Sequence, residues 1–342
     1  NPFLLFDESK CKDIFLFFQN IISSNCHLQT KFTALLAFKN NVNSSWELVP
    51  DDFRNDLRQY ILSLLFGGEN FEYQFKTKLI EIIVAISKYE YPQVWPTFVQ
   101  ELLSTASSTA ENCETALNCL EIFSREISDF ADNSLTSIRA AEMLNSFTEE
   151  IQNVVSLIHE TLSSNNERLT KQSLNTFCAL VQWIDSQFFF KTDLLNQLCS
   201  TFLDIPVYTS IIIRILGEIV SVNYIPEEFY EHLGPIFATI ISKLQAIQEE
   251  SPENFFTDPS ISSLITVTLT SFLSQYYEAV EVPDFYEPIM ILHQWLIEFT
   301  GMSNEDEMQS QESNAGNIDS LIAYWSELSQ QVYFEYRTPQ ST

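Results

Sequence analysis

Tyr91-Pro92-Gln93-Val94-Trp95-Pro96-Thr97-Phe98 is the stretch on which the reading of the fold turns. Upstream, residues 76–90 place Leu79, Ile82, Ile83 and Ile86 at i, i+3, i+4 and i+7, which makes one apolar face of a helix. Downstream, residues 97–104 read as a second helix with Phe98, Leu102 and Leu103 turned inward. Pro92 cannot continue the first helix and drives Tyr91 out of the α region. Pro96 fits the first position of the next helix, where its missing N–H has no intrahelical partner to lose. The eight residues read as a stiff hinge between two antiparallel helices, with Trp95 and Phe98 filling the space where they meet.

The hinge recurs loosely. Pro50, Pro226 and Pro283 each stand just ahead of carboxylates, in Pro-Asp-Asp-Phe, Pro-Glu-Glu-Phe and Pro-Asp-Phe-Tyr-Glu. Acidic side chains belong in a helix's first turn, where the backbone dipole is positive. Pro50 and Pro96 are 46 residues apart, and Pro226 and Pro283 are 57 apart. Two further starts fit between, near Leu135 and Lys191. The mean period is then roughly 47 residues, at the upper end of the HEAT/armadillo range. An all-α fold is expected, a HEAT-repeat α-solenoid built from antiparallel helix pairs. Its second helices, residues 51–66, 97–104, 135–162, 194–203, 227–248 and 284–299, would form the inner wall.

Three segments carry particular expectations. Residues 27–41 read as a helix with Phe32, Leu35, Leu36 and Lys39 in register. Residues 207–222 are apolar nearly all round, so that helix belongs in mid-array. Residues 304–316 are acidic, polar and without period, and read as a mobile loop between helices. The expected division is 1–68, 71–224 and 225–342. The first helix finds no partner upstream in this sequence, so the chain reads as a piece of something longer.

Composition narrows the function. The 342 residues carry 17 Lys and Arg against 46 Asp and Glu, a formal charge of −29. Direct binding to nucleic-acid phosphates needs clustered cations and is not expected. Basic protein partners are favoured instead. No apolar run approaches the roughly 20 residues of a membrane span, so no membrane insertion is expected. The six cysteines form no Cys-x-x-Cys and read as free thiols.

No catalytic or metal site emerges. His27, His159, His232 and His293 lack ligand spacing, and there is no phosphate-cradling glycine loop and no Gly-x-Ser-x-Gly elbow. The expectation is no enzyme, no cofactor and no metal, but a surface for another protein. On the first two inner helices the side chains turned away from the core are Arg54, Arg58, Gln59 and Ser63, then Gln100 and Glu101.

Several fixed words then line up. Trp46-Glu47-Leu48-Val49-Pro50, Tyr91-Pro92 with Trp95-Pro96-Thr97-Phe98, and Glu126 with Asp129-Phe130 resemble the exportins of the importin-β superfamily. Trp183-Ile184 with Phe190-Lys191-Thr192-Asp193, and Phe202-Leu203-Asp204-Ile205-Pro206, continue the pattern in order. The resemblance implies a receptor that binds the small GTPase Ran in its GTP form together with export-signal cargo. It further implies passage through the nuclear pore by way of nucleoporins, and shuttling between nucleus and cytoplasm. In that family the first inner helices meet Ran. Carried over, this points to Arg54, Arg58, Gln59, Gln100 and Glu101, while Trp46, Pro50, Pro92, Trp95, Pro96, Phe98 and Trp183 read as structural words. The family's cargo groove lies in later repeats, outside this chain. Asp185 stands where the family has proline, and the 304–316 loop is longer than the family's. A transfer-RNA or microRNA-precursor exportin and a Ran-independent HEAT scaffold are the alternatives that the solenoid leaves open.

Overall fold

The computed structural model describes residues 8–67, 71–128, 137–221, 224–302 and 312–337. Among these, every regular element is helical. The chain divides into two compact units, Asn1–Trp183 and Ile184–Thr342.

The first unit holds α1 (Glu8–Ser23), α2 (Leu28–Ser45), α3 (Asp51–Phe66), α4 (Tyr73–Glu90), α5 (Phe98–Ala106), α6 (Ala110–Ser128), α7 (Ser137–Leu162) and α8 (Glu167–Val181). Short turns force consecutive helices to run up and down, and two layers result. In one layer α2, α4, α6 and α8 pack side by side. Against them lie α1, α3, α5 and α7, with α5 also touching α7. A helix with neighbours on most sides must be apolar on most sides. Accordingly α4 buries Leu79, Ile80, Ile82, Ile83, Val84, Ala85 and Ile86.

The hinge has the anticipated pre-proline geometry. α4 stops at Glu90, and Tyr91 is extended, with φ −82° and ψ 137°. The Tyr91–Pro92 peptide is cis. Pro96, however, is not the first residue of α5. The helix begins at Phe98, and Pro96 sits in a turn closed by the Phe98 N–H on the Trp95 carbonyl at 3.3 Å. Its fixed φ suits the second place of such a turn equally well.

From the hinge an aromatic chain runs through the unit. Trp95 and Phe98 are 4.8 Å apart, Phe98 and Phe123 5.0 Å, Phe123 and Phe147 5.3 Å, and Phe147 and Trp183 5.1 Å. Tilted and edge-to-face pairs at these distances are the favoured aromatic geometry. Between α6 and α8 the buried polar groups are satisfied. Ser124 Oγ donates to the Ala179 carbonyl at 3.0 Å and accepts from Trp183 Nε1 at 2.6 Å, and Thr176 Oγ1 donates to the Leu117 carbonyl at 3.0 Å.

The first layer of this unit also carries a ladder of ion pairs from helix to helix. Lys39 of α2 reaches Glu81 of α4 at 2.7 Å. Lys76 and Lys88 of α4 pair with Glu111 and Glu126 of α6. Arg168 of α8 reaches Glu114 of α6 at 3.0 Å. Burial alone would raise the Glu81 pKa, but hydrogen bonds and charge from Lys39 and Lys78 hold it below the usual carboxylate value.

Lys39 therefore does not belong to the core stripe of α2. The buried face is Leu35, Phe38 and Val42, while Leu36 is exposed. Two apolar stripes compete on this helix, and contact with α1 and α4 selects the one containing Phe38.

The second unit holds α9 (Gln187–Phe190), α10 (Leu194–Gln197), α11 (Pro206–Val220), α12 (Tyr230–Glu250), α13 (Pro252–Phe255), α14 (Pro259–Ser263), α15 (Thr270–Val280), α16 (Tyr286–Met302) and α17 (Glu312–Arg337). A π turn, Leu198–Phe202, follows α10, and another, Leu264–Leu269, joins α14 to α15. α11 packs on α12, α12 on α15 and α16, and both of these on α17. The apolar α11 is covered as expected, with Ile211, Ile212, Ile213, Ile215 and Leu216 all buried. The Pro283–Phe285 turn ahead of α16 comes close to α12. A Cβ on Gly234 would lie 2.1 Å from the Phe285 ring.

The acidic loop expected at 304–316 is corrected at its C-terminal end. Residues 312–316 are the opening turns of α17. Residues 304–311 lie outside the described residues, as does Leu135, where one helix start was expected.

Candidate functional site

Of the residues singled out on the first two inner helices, Gln59 and Glu101 line one cleft. α3 and α5 flank a cavity of about 300 Å³, lined by Gln59, Leu62 and Phe66 from α3, by Phe98, Glu101, Leu102 and Thr105 from α5, and by Trp95 of the hinge. The two helices come together because each backs onto an even-numbered helix, α3 on α4 and α5 on α6, and those two helices pack against each other.

Behind the cleft stands one buried carboxylate. Glu90, the last residue of α4, is 1% exposed. Its Oε1 accepts from Trp46 Nε1 at 3.1 Å, and its Oε2 accepts from Arg58 Nη1 at 2.5 Å. Arg58 also donates to Asn55 at 2.8 Å, and its guanidinium lies 4.6 Å from the Trp95 ring centroid. This one residue joins the turn before α3, α3 itself, α4 and the hinge. A buried carboxylate is tolerable only with such charged and hydrogen-bonding partners.

The five candidate contacts therefore differ in what they have left to offer. Arg58 is engaged by Glu90 and Trp95. Arg54 folds back on its own helix start, with Nε donating to the Val49 carbonyl at 2.6 Å and Nη2 pairing with Asp51 at 2.7 Å. Gln59 is exposed at the mouth of the cavity. Gln100 is exposed and donates to Glu150 of α7 at 2.7 Å. Glu101 faces the cavity and accepts from Trp95 Nε1 at 3.1 Å and from Thr97 Oγ1 at 2.5 Å.

The family words sit behind this surface. Trp46 is 1% exposed, Trp95 2% and Phe98 0%. Pro50 caps the start of α3, Pro92 forms the hinge, and Trp183 closes the aromatic chain. Tyr91 lies below α5, where burial, then Glu150 and Glu149, push its phenol above the ordinary range. Sequence reasoning missed Glu90 and the Trp46–Glu90–Arg58 connection. The available signal was a carboxylate at the last position of the helix, just before Tyr-Pro. Its partners lie 44 and 32 residues away.

Reactive groups are not gathered here. The Cys119 thiol is wholly buried, and that burial pushes it well above its usual range. Among the described residues, no cluster of three His, Cys, Asp or Glu side chains could hold a metal ion, and no helix is long and apolar enough to cross a membrane.

Comparison with known proteins agrees with this architecture. Residues 8–66 match the family model of the importin-β N-terminal domain, and residues 72–216 match that of exportin 1-like proteins. Exportin-1 of Schizosaccharomyces pombe is 23% identical over 329 residues, which is 92% of this chain and 30% of that protein. EXPORTIN 1B of Arabidopsis thaliana is 26% identical, covering 80% of this chain and 26% of the relative. The chain thus spans less than a third of the length of these relatives. Among solved structures, Kap121p in a mutant form superposes with a TM-score of 0.53 at 13% identity, over 92% of this chain and 29% of that one. At that identity the likeness speaks for the fold alone, a HEAT-repeat α-solenoid.

These matches place the likeness of the chain in the importin-β superfamily. Within it, the likeness is to the exportin-1 group, whose model covers α4 through most of α11 and whose members match most of this chain's length.

Proposed function

We propose that this chain is the Ran-engaging part of a nuclear export receptor, and that it binds Ran in its GTP form on the α3–α5 face. The observation that carries the reading is that cleft, set between α3, the last helix of the importin-β N-terminal match, and α5, within the exportin 1-like match. Gln59, Gln100 and Glu101 are the contact residues at the surface, and Arg54 joins them at the rim. Arg58 holds the wall in position through Glu90. The acidic field of the chain favours a basic partner surface and speeds its approach. Export-signal cargo would bind in repeats beyond this chain, and the receptor would carry it through the nuclear pore by contact with nucleoporins, shuttling between nucleus and cytoplasm. Segments 1–68, 71–224 and 225–342 would be the functional divisions.

The test is retention of purified Ran on the immobilised chain. GTP-loaded Ran should be held and GDP-loaded Ran should not, and Gln59→Trp, which fills the cavity mouth, should abolish the difference. Equal retention of both forms removes the reading. Arg58→Glu is a poor reporter, because it would set a carboxylate against Glu90 and loosen the fold itself.

A further inference from the structure

The second unit contains a larger cavity, of about 660 Å³, between α11, the C-terminal half of α12 and the segment from α14 into the π turn. Volumes of this order suit a bound ligand or inserted side chains. Its walls are apolar, made by Ile211, Ile213, Leu244, Ile247 and Leu264. Three independent features mark it out. One wall belongs to the π turn Leu264–Leu269, and π turns interrupt helices frequently at functional sites. Gly217 lets α11 and the π turn meet at the base, since a Cβ there would stand 2.8 Å from Leu264 Cδ1. The rim is charged, with Glu218 and Asp258 against Arg214. Asp258 is fixed in place by accepting from the Ser260 and Ile261 N–H groups at 2.8 and 3.3 Å.

The surrounding field has one sign. Residues 184–342 contain four Lys and Arg and 23 Asp and Glu, a formal charge of −19. Two of those cations, Lys191 and Lys243, already pair with Glu228 and Asp204. A carboxylate-dominated rim over an apolar slot selects a complementary occupant.

We propose that this groove docks an apolar segment of a partner protein flanked by lysine or arginine. Large aliphatic or aromatic side chains of that segment fill the slot, and its cations meet Glu218 and Asp258. The site is separate from the α3–α5 face and does not depend on Ran binding there.

Fluorescence anisotropy on the whole chain tests it, with two labelled short peptides as probes. One alternates leucine pairs with lysines; the other has glutamates in place of the lysines. The lysine peptide should bind about tenfold tighter or better, and the advantage should shrink as salt rises from about 50 to about 300 mM. Ser263→Trp, at the groove's edge, should remove that binding, and Glu218→Lys should weaken it. Ser210→Trp blocks the slot from the α11 side and serves if Ser263→Trp does not fold. Equal binding of the two peptides, no binding of either, or full binding by a folded tryptophan variant each overturns the proposal.

Discussion

The two units solve the same stacking problem with different chemistry. Residues 1–183 hold 13 Lys and Arg, residues 184–342 only four, while each carries 23 Asp and Glu. In the first unit cations reach from one helix to carboxylates on the next, from α2 to α4, from α4 to α6 and from α8 to α6. In the second, the polar tips of aromatic residues take much of that part. Tyr276 Oη accepts from the Ile225 N–H at 3.1 Å, Trp295 Nε1 donates to Gln248 at 2.9 Å, and His293 meets Tyr324 at 2.8 Å. The difference teaches that helix register in a solenoid does not require ion pairs. Where they are few, as in the second unit with Lys191–Glu228 and Lys243–Asp204, most carboxylates are left to shape the outward field.

The largest expected effect lies in the first unit. Glu90→Ala strips a buried guanidinium and the Trp46 N–H of their acceptor, and should cost about 3–5 kcal/mol in urea unfolding followed by tryptophan fluorescence. A loss under about 1 kcal/mol would mean that the carboxylate does not organise this unit. Arg58→Met with Glu90→Leu should recover much of the loss, because removing both partners avoids an orphaned charge.

Next comes packing in the second unit. Gly234→Ala drives a methyl group into the Phe285 ring and should destabilise by about 1–3 kcal/mol. Gly234→Ala combined with Phe285→Leu should be milder than Gly234→Ala alone. If the two changes simply add, the helices are not in contact there.

Much of this was legible before any coordinates. The hinge at Tyr91–Phe98, the covered helix around Ile211–Leu216 and the long helix ending at Leu162 follow from apolar spacing and proline chemistry, which are local. What stayed hidden depends on partners far along the chain. The periodicity of α2 admits two faces, and only its neighbours choose Phe38 over Leu36. The π turns have no sequence signature of their own. In the candidate site, Gln59, Gln100 and Glu101 could be placed on a face from spacing alone. The commitment of Arg58 to Glu90 could not, because 32 residues separate them.

Acid should then separate the units. Burial lowers the His293 pKa, with a hydrogen bond donated by the ring to the Ile289 carbonyl opposing the shift. Above the ordinary imidazole value of about 6.5 neither the folded nor the unfolded state is charged, and nothing changes. As pH falls through that value the unfolded chain takes up the proton first, so stability is lost until the lower folded value is passed. Thermal melts of wild type and His293→Phe should diverge between about pH 7 and pH 5, with the wild type falling more steeply. Glu81 acts further down the scale. Its lowered pKa gives stability that is present above the ordinary carboxylate value and is lost as pH drops through the folded one.

The smallest effect concerns the ladder itself. Lys88→Met should cost roughly 0.2–1 kcal/mol at low salt and nearly nothing at 1 M salt. A salt-independent loss would mean that the Lys88 stem matters for packing and its charge does not.

Stacked-repeat proteins ordinarily fray from their ends, since each repeat feels only its neighbours. Glu90 alters that expectation for this part of the molecule. By fastening the turn before α3, α3, α4 and the hinge to one group, it makes their opening a single event. Amide hydrogens of α3, α4 and α5 should exchange at one common rate, and that whole block should become labile together when the carboxylate is removed.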